Sequence, residues 1–368
     1  MAQYLDRVAN QERAKTHLNK IIESNRLPHA LLFSGPQGVG KHFTSVQFVK
    51  EINLKADFDN SVKKKINNLE EPFIKFIIAL PRGKSETTTD SPTSKLSDGQ
   101  IEEMNSELEK KKRNPYHTIS VSKAQNIKIS SIREIKKYLS LNFAEGKYRT
   151  IIIHEAHNMS TDSQNALLKN LEEPPEDVIL ILHTSQPNFL LPTIKSRCQE
   201  VTFDPLPNDM VVKILTEYYS YDSSLVQLVS RFCDGSVSKA ATLLENDFEE
   251  FLEKCINILR YSLARRYSTA IGFFDEIIQK SGEEGFYTTL DFIQKWFLDV
   301  IRDKYFLDNQ YFTKYSDTIK KFNSKYATEN AINVINKIDS LNEMRGHNIN
   351  LNICVSNVIF EIGRIGIG

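Results

Sequence analysis

The sequence predicts an α/β fold built on a parallel sheet with a phosphate-binding loop, followed by an all-helical C-terminal region. Three observations predict it. Ala30-Leu31-Leu32-Phe33 runs into Gly35-Pro36-Gln37-Gly38-Val39-Gly40-Lys41, and Lys41 to about Asn53 reads as the helix that this loop opens. Residues 149–154 and 178–183 are near-continuous apolar runs separated by a helical pattern, as buried parallel strands are. Beyond Phe203-Asp204-Pro205-Leu206-Pro207 the strand pattern stops, and apolar residues recur at three- and four-residue spacing.

Taken in order, residues 8–26 carry an amphipathic helical pattern, and Pro28-His29 lead into the first strand. Residues 56–114 read as a largely exposed insertion with one or two local helices. They contain Lys63-Lys64-Lys65, a Thr/Ser/Asp run over 85–97 and the charged stretch 101–113. Within them, residues 73–80 are apolar enough for a strand of the central sheet. Residues 118–121 predict another short strand, and 129–141 a helix with Ile132, Ile135 and Leu139 on one side. Thr161 and Gln164 have capping-box spacing ahead of Ala166-Leu167-Leu168, and that helix must end before Pro174-Pro175. In the helical remainder, Pro205 and Pro207 mark one boundary, and residues 245–249 a second.

Composition narrows the function. At 368 residues the chain suggests two or three domains. With 47 Lys+Arg against 47 Asp+Glu, it lacks the basic excess of a protein that grips DNA alone. No apolar run approaches the roughly 18 residues that span a bilayer, and Met1-Ala2-Gln3-Tyr4-Leu5-Asp6-Arg7 lacks a signal-peptide layout. Cys198, Cys233, Cys255 and Cys354 are too scattered for a zinc ribbon or a disulfide framework. A cytoplasmic location without membrane attachment is the expectation.

The phosphate loop carries the chemistry. Its freed backbone N–H groups form an anion nest at a helix N-terminus, and Lys41 adds a point charge. A working nucleotidase places Ser or Thr after that lysine as a Mg²⁺ ligand, and here stands His42. The second magnesium element is altered as well: Ile151-Ile152-Ile153 runs to His154-Glu155, with histidine where the metal-side Asp belongs. Glu155 could still polarise a water, but both oxygen ligands of the ion are gone, which predicts no efficient hydrolysis. Weak binding of ATP or ADP and no binding both stay open, and no cofactor is required. His42 and His154 should face each other with His157 one turn on. That trio could hold a softer metal such as Zn²⁺, or pack as neutral imidazoles in the magnesium space.

Leu27-Pro28-His29-Ala30, the loop Gly35 to Lys41, Ala166-Leu167-Leu168-Lys169-Asn170-Leu171-Glu172-Glu173-Pro174-Pro175 and Ser196-Arg197-Cys198 together resemble the bacterial clamp-loader family of the AAA+ superfamily. Within it, the likeness is greatest to the delta-prime branch of DNA polymerase III. The resemblance covers about residues 1–245. It implies an AAA+ core over 1–205 with the insertion at about 56–114, a helical lid over 206–247 and a helical collar over 248–368. It also implies a subunit without ATPase activity, whose Arg197 completes a site on a neighbouring ATPase subunit. The implied partners are the ATPase subunits and the delta subunit, with the sliding clamp and primer-template DNA reached through the assembly. Thr184 matches the family's first sensor position. Gly235 to Ala240 matches the second sensor segment, with Ser238 or Lys239 where the motor subunits have arginine. The four-cysteine zinc module of many relatives is absent, and the insertion occupies its place. The alternative is an active motor of the gamma/tau type, which Ser or Thr at 42 and Asp at 154 would have favoured.

Overall fold

A computed structural model describes residues 4–24, 26–53, 60–87, 89–140, 147–308, 310–345 and 349–365. The ends of two expected helices (Asn25 and Leu141) and residues 56–59 and Thr88 of the insertion lie outside them. The chain divides into two compact units: residues 1–226 with 233–241, and residues 227–232 with 242–368.

The first unit holds a five-stranded, all-parallel sheet of order β2-β3-β4-β1-β5. Its strands are Ala30–Ser34 (β1), Ile74–Ile77 (β2), Arg149–Ile153 (β3), Val178–Thr184 (β4) and Gln199–Thr202 (β5). Its helices are Glu12–Glu23 (α1), Lys41–Asn53 (α2), Asn60–Asn67 (α3), Asp98–Arg113 (α4), Ile129–Leu139 (α5), Thr161–Glu172 (α6), Pro192–Lys195 (α7) and Asn208–Tyr218 (α8). Every residue of β1 and β4 is buried. Helices cover both faces, as the apolar runs require. On one face Leu32, Ile151, Ile153, Leu180 and Leu182 pack with Ile132 and Ile135 of α5, Leu167 and Leu171 of α6, and Ile194 of α7. This is the predicted AAA+ α/β core.

Two local expectations need correction. Residues 118–121 form no strand. The insertion supplies other acceptors for backbone N–H groups there: Ser120 donates to Glu107 Oε2 and Ser122 to Glu103 Oε1, both at 2.9 Å, from α4. The N-cap of α6 is Ser160, whose hydroxyl accepts from the Ser163 N–H, so Thr161 is already helical. Gln164 instead ties Met159 O, Phe189 O and the Leu191 N–H into one loop. The apolar runs leave one further strand unsignalled, β5, on the edge beside β1. Only Val201 of β5 is buried, so it lacks an apolar run. The strand at 73–80 does join the sheet, as the edge strand β2.

Ser223–Ser230 (α9) and Val237–Glu245 (α10) each straddle the two units. The second unit is helical, with Phe248–Leu263 (α11), Tyr267–Lys304 (α12), Ser316–Lys325 (α13), Thr328–Asn342 (α14) and Leu351–Arg364 (α15). Asp247 caps α11 from a left-handed conformation, within the second expected boundary. An aromatic cluster fills the centre: Phe232 stacks on Phe292 with centroids 4.7 Å apart, and both pack against Phe248. Asp299 is fully buried and accepts the backbone N–H groups of Gln310, Tyr311 and Phe312 at 2.8–3.0 Å. No helix among the described residues is long and apolar enough to cross a membrane.

Candidate functional site

The phosphate loop joins β1 to α2 at the C-terminal end of the sheet, where parallel α/β folds place ligands. Gly35, Gly38 and Gly40 have φ of 147°, 73° and 102°, a region that favours glycine. Close packing excludes a side chain at two of them. A Cβ on Gly35 would lie 2.3 Å from Phe203 O, and one on Gly38 2.3 Å from Ser238 Oγ. Lys41 is buried and folds back, donating to the carbonyls of Gly35 and Pro36, each at 2.7 Å. Burial pushes its amine down to about 8, opposed by Glu155.

Residues 233–241 close over this loop. Ser236 Oγ donates to Gln37 O at 2.7 Å, and the Val237 N–H donates to Gly38 O at 3.2 Å. Lys239 pairs with Asp234 at 2.6 Å. The cavity left at the loop is about 30 Å³. It is lined by Lys41, His42, Lys111, Tyr116, His154 and Glu155, among others.

His42 and His154 do meet, with ring centroids 6.4 Å apart and nearly perpendicular. The third ring is His183, not His157: it lies 6.2 Å from His42 and 5.8 Å from His154. The register explains this, because Ile153 pairs with Leu182 and so the next residues, His154 and His183, lie side by side at the C-terminal edge of the sheet. Phe76 of β2 packs on both His42 and His154. His183 Nε2 is 2.6 Å from Ser45 Oγ, while Nδ1 of all three rings is buried without a hydrogen-bond partner. Burial holds each imidazole well below its ordinary pKa. Lys111 then lowers His42 and His154 further, and Lys41 and Lys111 lower His183. Among the described residues, no group of three or more His, Cys, Asp or Glu is placed to hold a metal ion. His157 turns elsewhere, its Nδ1 3.2 Å from Thr184 Oγ1 and 3.4 Å from Glu155 Oε2.

Glu155 is buried in a left-handed conformation (φ 48°, ψ 60°) and accepts from Ser185 Oγ at 3.0 Å. Such a backbone costs on the order of 1–3 kcal/mol and clusters at functional sites. Thr184 is buried at the end of β4, where its hydroxyl accepts from the Gln186 N–H. The expected nucleotide-site residues therefore lie at one end of the sheet. Lys111, His183, Ser45 and Phe76 were not singled out from the sequence. The strand ends signal only His183, one residue past an apolar run like that before His154.

Arg197 lies apart, on the segment after α7. The segment is anchored by its neighbours: Ile194 is fully buried, and Cys198 packs against the same core, its thiol pushed up to about 12 by burial. Arg197 is half-buried, donating to Thr193 O at 3.1 Å and to Glu172 Oε1 at 2.9 Å. Glu172 belongs to the Glu-Glu-Pro-Pro run, so the two most specific motif segments are tied by this ion pair.

A family model described as "DNA polymerase III, delta subunit" matches residues 10–207. The chain is similar to the tau subunit of DNA polymerase III from Bacillus subtilis, at 27% identity over 66% of this chain and 37% of that protein. The Escherichia coli tau subunit is also 27% identical, over 65% of this chain and 32% of its own length. This chain thus spans only about a third of those relatives. A crystal structure of a gamma subunit-related protein from Thermotoga maritima aligns over 96% of this chain and 99% of its own, at 18% identity and a TM-score of 0.45. With more than half of its residues matched, and with the phosphate loop and parallel sheet in place, the chain belongs to the DNA polymerase III delta-subunit family of clamp-loader AAA+ proteins.

Proposed function

We propose that the chain is a delta-prime-type subunit of a DNA polymerase III clamp loader. In this reading it does not hydrolyse ATP, it scaffolds a hetero-oligomeric ring, and it supplies Arg197 to a nucleotide held by a neighbouring subunit. The observation that carries it is the replacement of both magnesium-ligand positions by imidazoles held neutral, His42 and His154. Neutral imidazoles offer no oxygen to Mg²⁺, and the adjacent lysines disfavour a cation there. The folded-back Lys41 and the small loop cavity support the same conclusion, leaving little room for phosphates. The nearest subunits would be the ATPase subunits and the delta subunit. The sliding clamp and primer-template DNA would be reached through the ring, with residues 248–368 as the collar, 206–247 as the lid and the location cytoplasmic.

Two measurements test it. The purified chain should show no ATP turnover above background, with nucleotide binding weak or absent. In the reconstituted complex, Arg197→Ala should slow hydrolysis at the neighbouring site on the order of 10³-fold while assembly stays intact. Unchanged clamp loading by that variant would remove the arginine's assigned role. The second reading, an active gamma/tau-type motor, is favoured by the tau subunits among the similar proteins. Turnover by the isolated chain at a motor's rate would establish it instead.

A further inference from the structure

The insertion does more than cover the sheet edge. Between β2, α4 and α5 it encloses a cavity of about 340 Å³, more than ten times the space left at the phosphate loop. That is within the range of small-molecule sites, which are typically apolar pockets with a few placed polar groups. The apolar wall comes from Leu69, Phe76, Ile78, Leu80, Met104 and Leu108. Phe76 is only half-buried there and presents a ring for stacking. Two other wall residues, His42 and Ser131, are each 5% exposed and carry a buried polar atom without a partner, Nδ1 and Oγ respectively.

The charges in the wall differ in how they are matched. Lys75 pairs with Glu134 at 3.0 Å, and Lys112 sits between Glu109 and Glu70 at 2.7 and 3.2 Å. Lys111, 5% exposed, forms no ion pair with a carboxylate among the described residues and donates to the carbonyl of His117 at 2.7 Å. Burial of that amine pushes it down to about 7, with Glu155 acting the other way. An acid group brought to Lys111 would complete an ion pair in a partly desolvated place, where such pairs are strong.

We propose that this cavity binds a small anionic aromatic molecule of one or two rings, with its ring between Phe76 and Met104 and its acid group at Lys111. The site is separate from the arginine role, and either assignment can fail without the other. It also borders the phosphate loop: His42 and Lys111 line both cavities, so occupancy would be felt at the start of α2.

The test uses 2-naphthoate as probe and 2-naphthylmethanol as its uncharged counterpart, titrated into the full chain by calorimetry and ligand-observed NMR. The expected result is saturable binding of one naphthoate per chain, with the alcohol several-fold weaker. Met104→Trp, which fills the cavity, should weaken naphthoate at least about tenfold, and Lys111→Met should abolish the preference for the acid. Leu108→Phe serves as a second cavity-filling variant if Met104→Trp lowers the melting temperature. Absence of saturable binding at millimolar probe would overturn the proposal. So would binding that neither filling variant changes, or equal affinity for acid and alcohol.

Discussion

His42, His154 and His183 reach one point from the start of α2 and the ends of β3 and β4, and each keeps an unpartnered Nδ1. A buried imidazole nitrogen without a partner costs less neutral than charged, so burial keeps the cluster neutral. Gly38 shows how tightly residues 233–241 hold the loop above it. A Cβ there would sit 2.3 Å from Ser238 Oγ and 2.5 Å from the Ser238 backbone nitrogen, at a φ of 73°. Gly38→Ala is therefore expected to destabilise the first unit by about 1–3 kcal/mol, through strain and lost packing. Gly99→Ala, with nothing within 4 Å of the added carbon, should stay within about 0.5 kcal/mol in the same denaturant titration. Similar midpoints for the two variants would show that the loop is not clamped. Of this site, His42 and His154 were legible because a nucleotidase has fixed oxygen ligands at those positions. Lys111 was not, because a lysine in a charged run reads as solvated until α4 folds its amine under the insertion.

At the scale of elements, β1, β3 and β4 could be read from apolar runs, since a strand buried on both faces needs nothing else. Edge strands carry no such signal: in β5, Gln199 and Glu200 are exposed and only Val201 is buried. Residues 118–121 fail in the opposite way, because carboxylates of α4 take backbone donors that a ladder would have used. Helical periodicity likewise conceals the break in α12, where Gly282 has φ 58° and ψ −147°. That conformation is nearly confined to glycine. Gly282→Ala meets no neighbouring atom, so any loss of stability comes from the backbone alone. The expected cost is about 1–3 kcal/mol, read from the unfolding of the second unit by the fluorescence of Trp296, the one tryptophan in the chain. A neutral result would mean that α12 straightens at no cost.

For the whole molecule, the buried bases set how stability changes with pH. His42, His154 and His183 have folded pKa values well below 6.5, so below about pH 6.5 the unfolded chain binds protons that the folded chain refuses. Their stabilising contribution is complete above that pH and is lost as pH falls, by up to about 1.4 kcal/mol per pH unit for each ring. Lys111 and Lys41, lowered to about 7 and 8, act in the same direction higher up. From those values to about 10.5 the unfolded lysines stay charged while the folded ones release protons, so stability rises again with pH. Two thiols of the first unit oppose this from about pH 9, since Cys198 and Cys233 are both raised and ionise more readily when unfolded. Tyr116 and Tyr138, raised likewise, add to that loss from about pH 10. The first unit should therefore gain stability from pH 5.5 to a maximum near pH 9, above the usual range of roughly pH 5 to 8. Hydrogen exchange of the β3 and β4 amides, corrected for intrinsic rates, measures this across pH. A profile that is flat or falls from pH 6 to 8.5 would show that these groups are charged or solvated in the folded chain. The His154→Leu variant isolates one imidazole's share: it should make the acid limb shallower by about a third while leaving the rise above pH 7 in place.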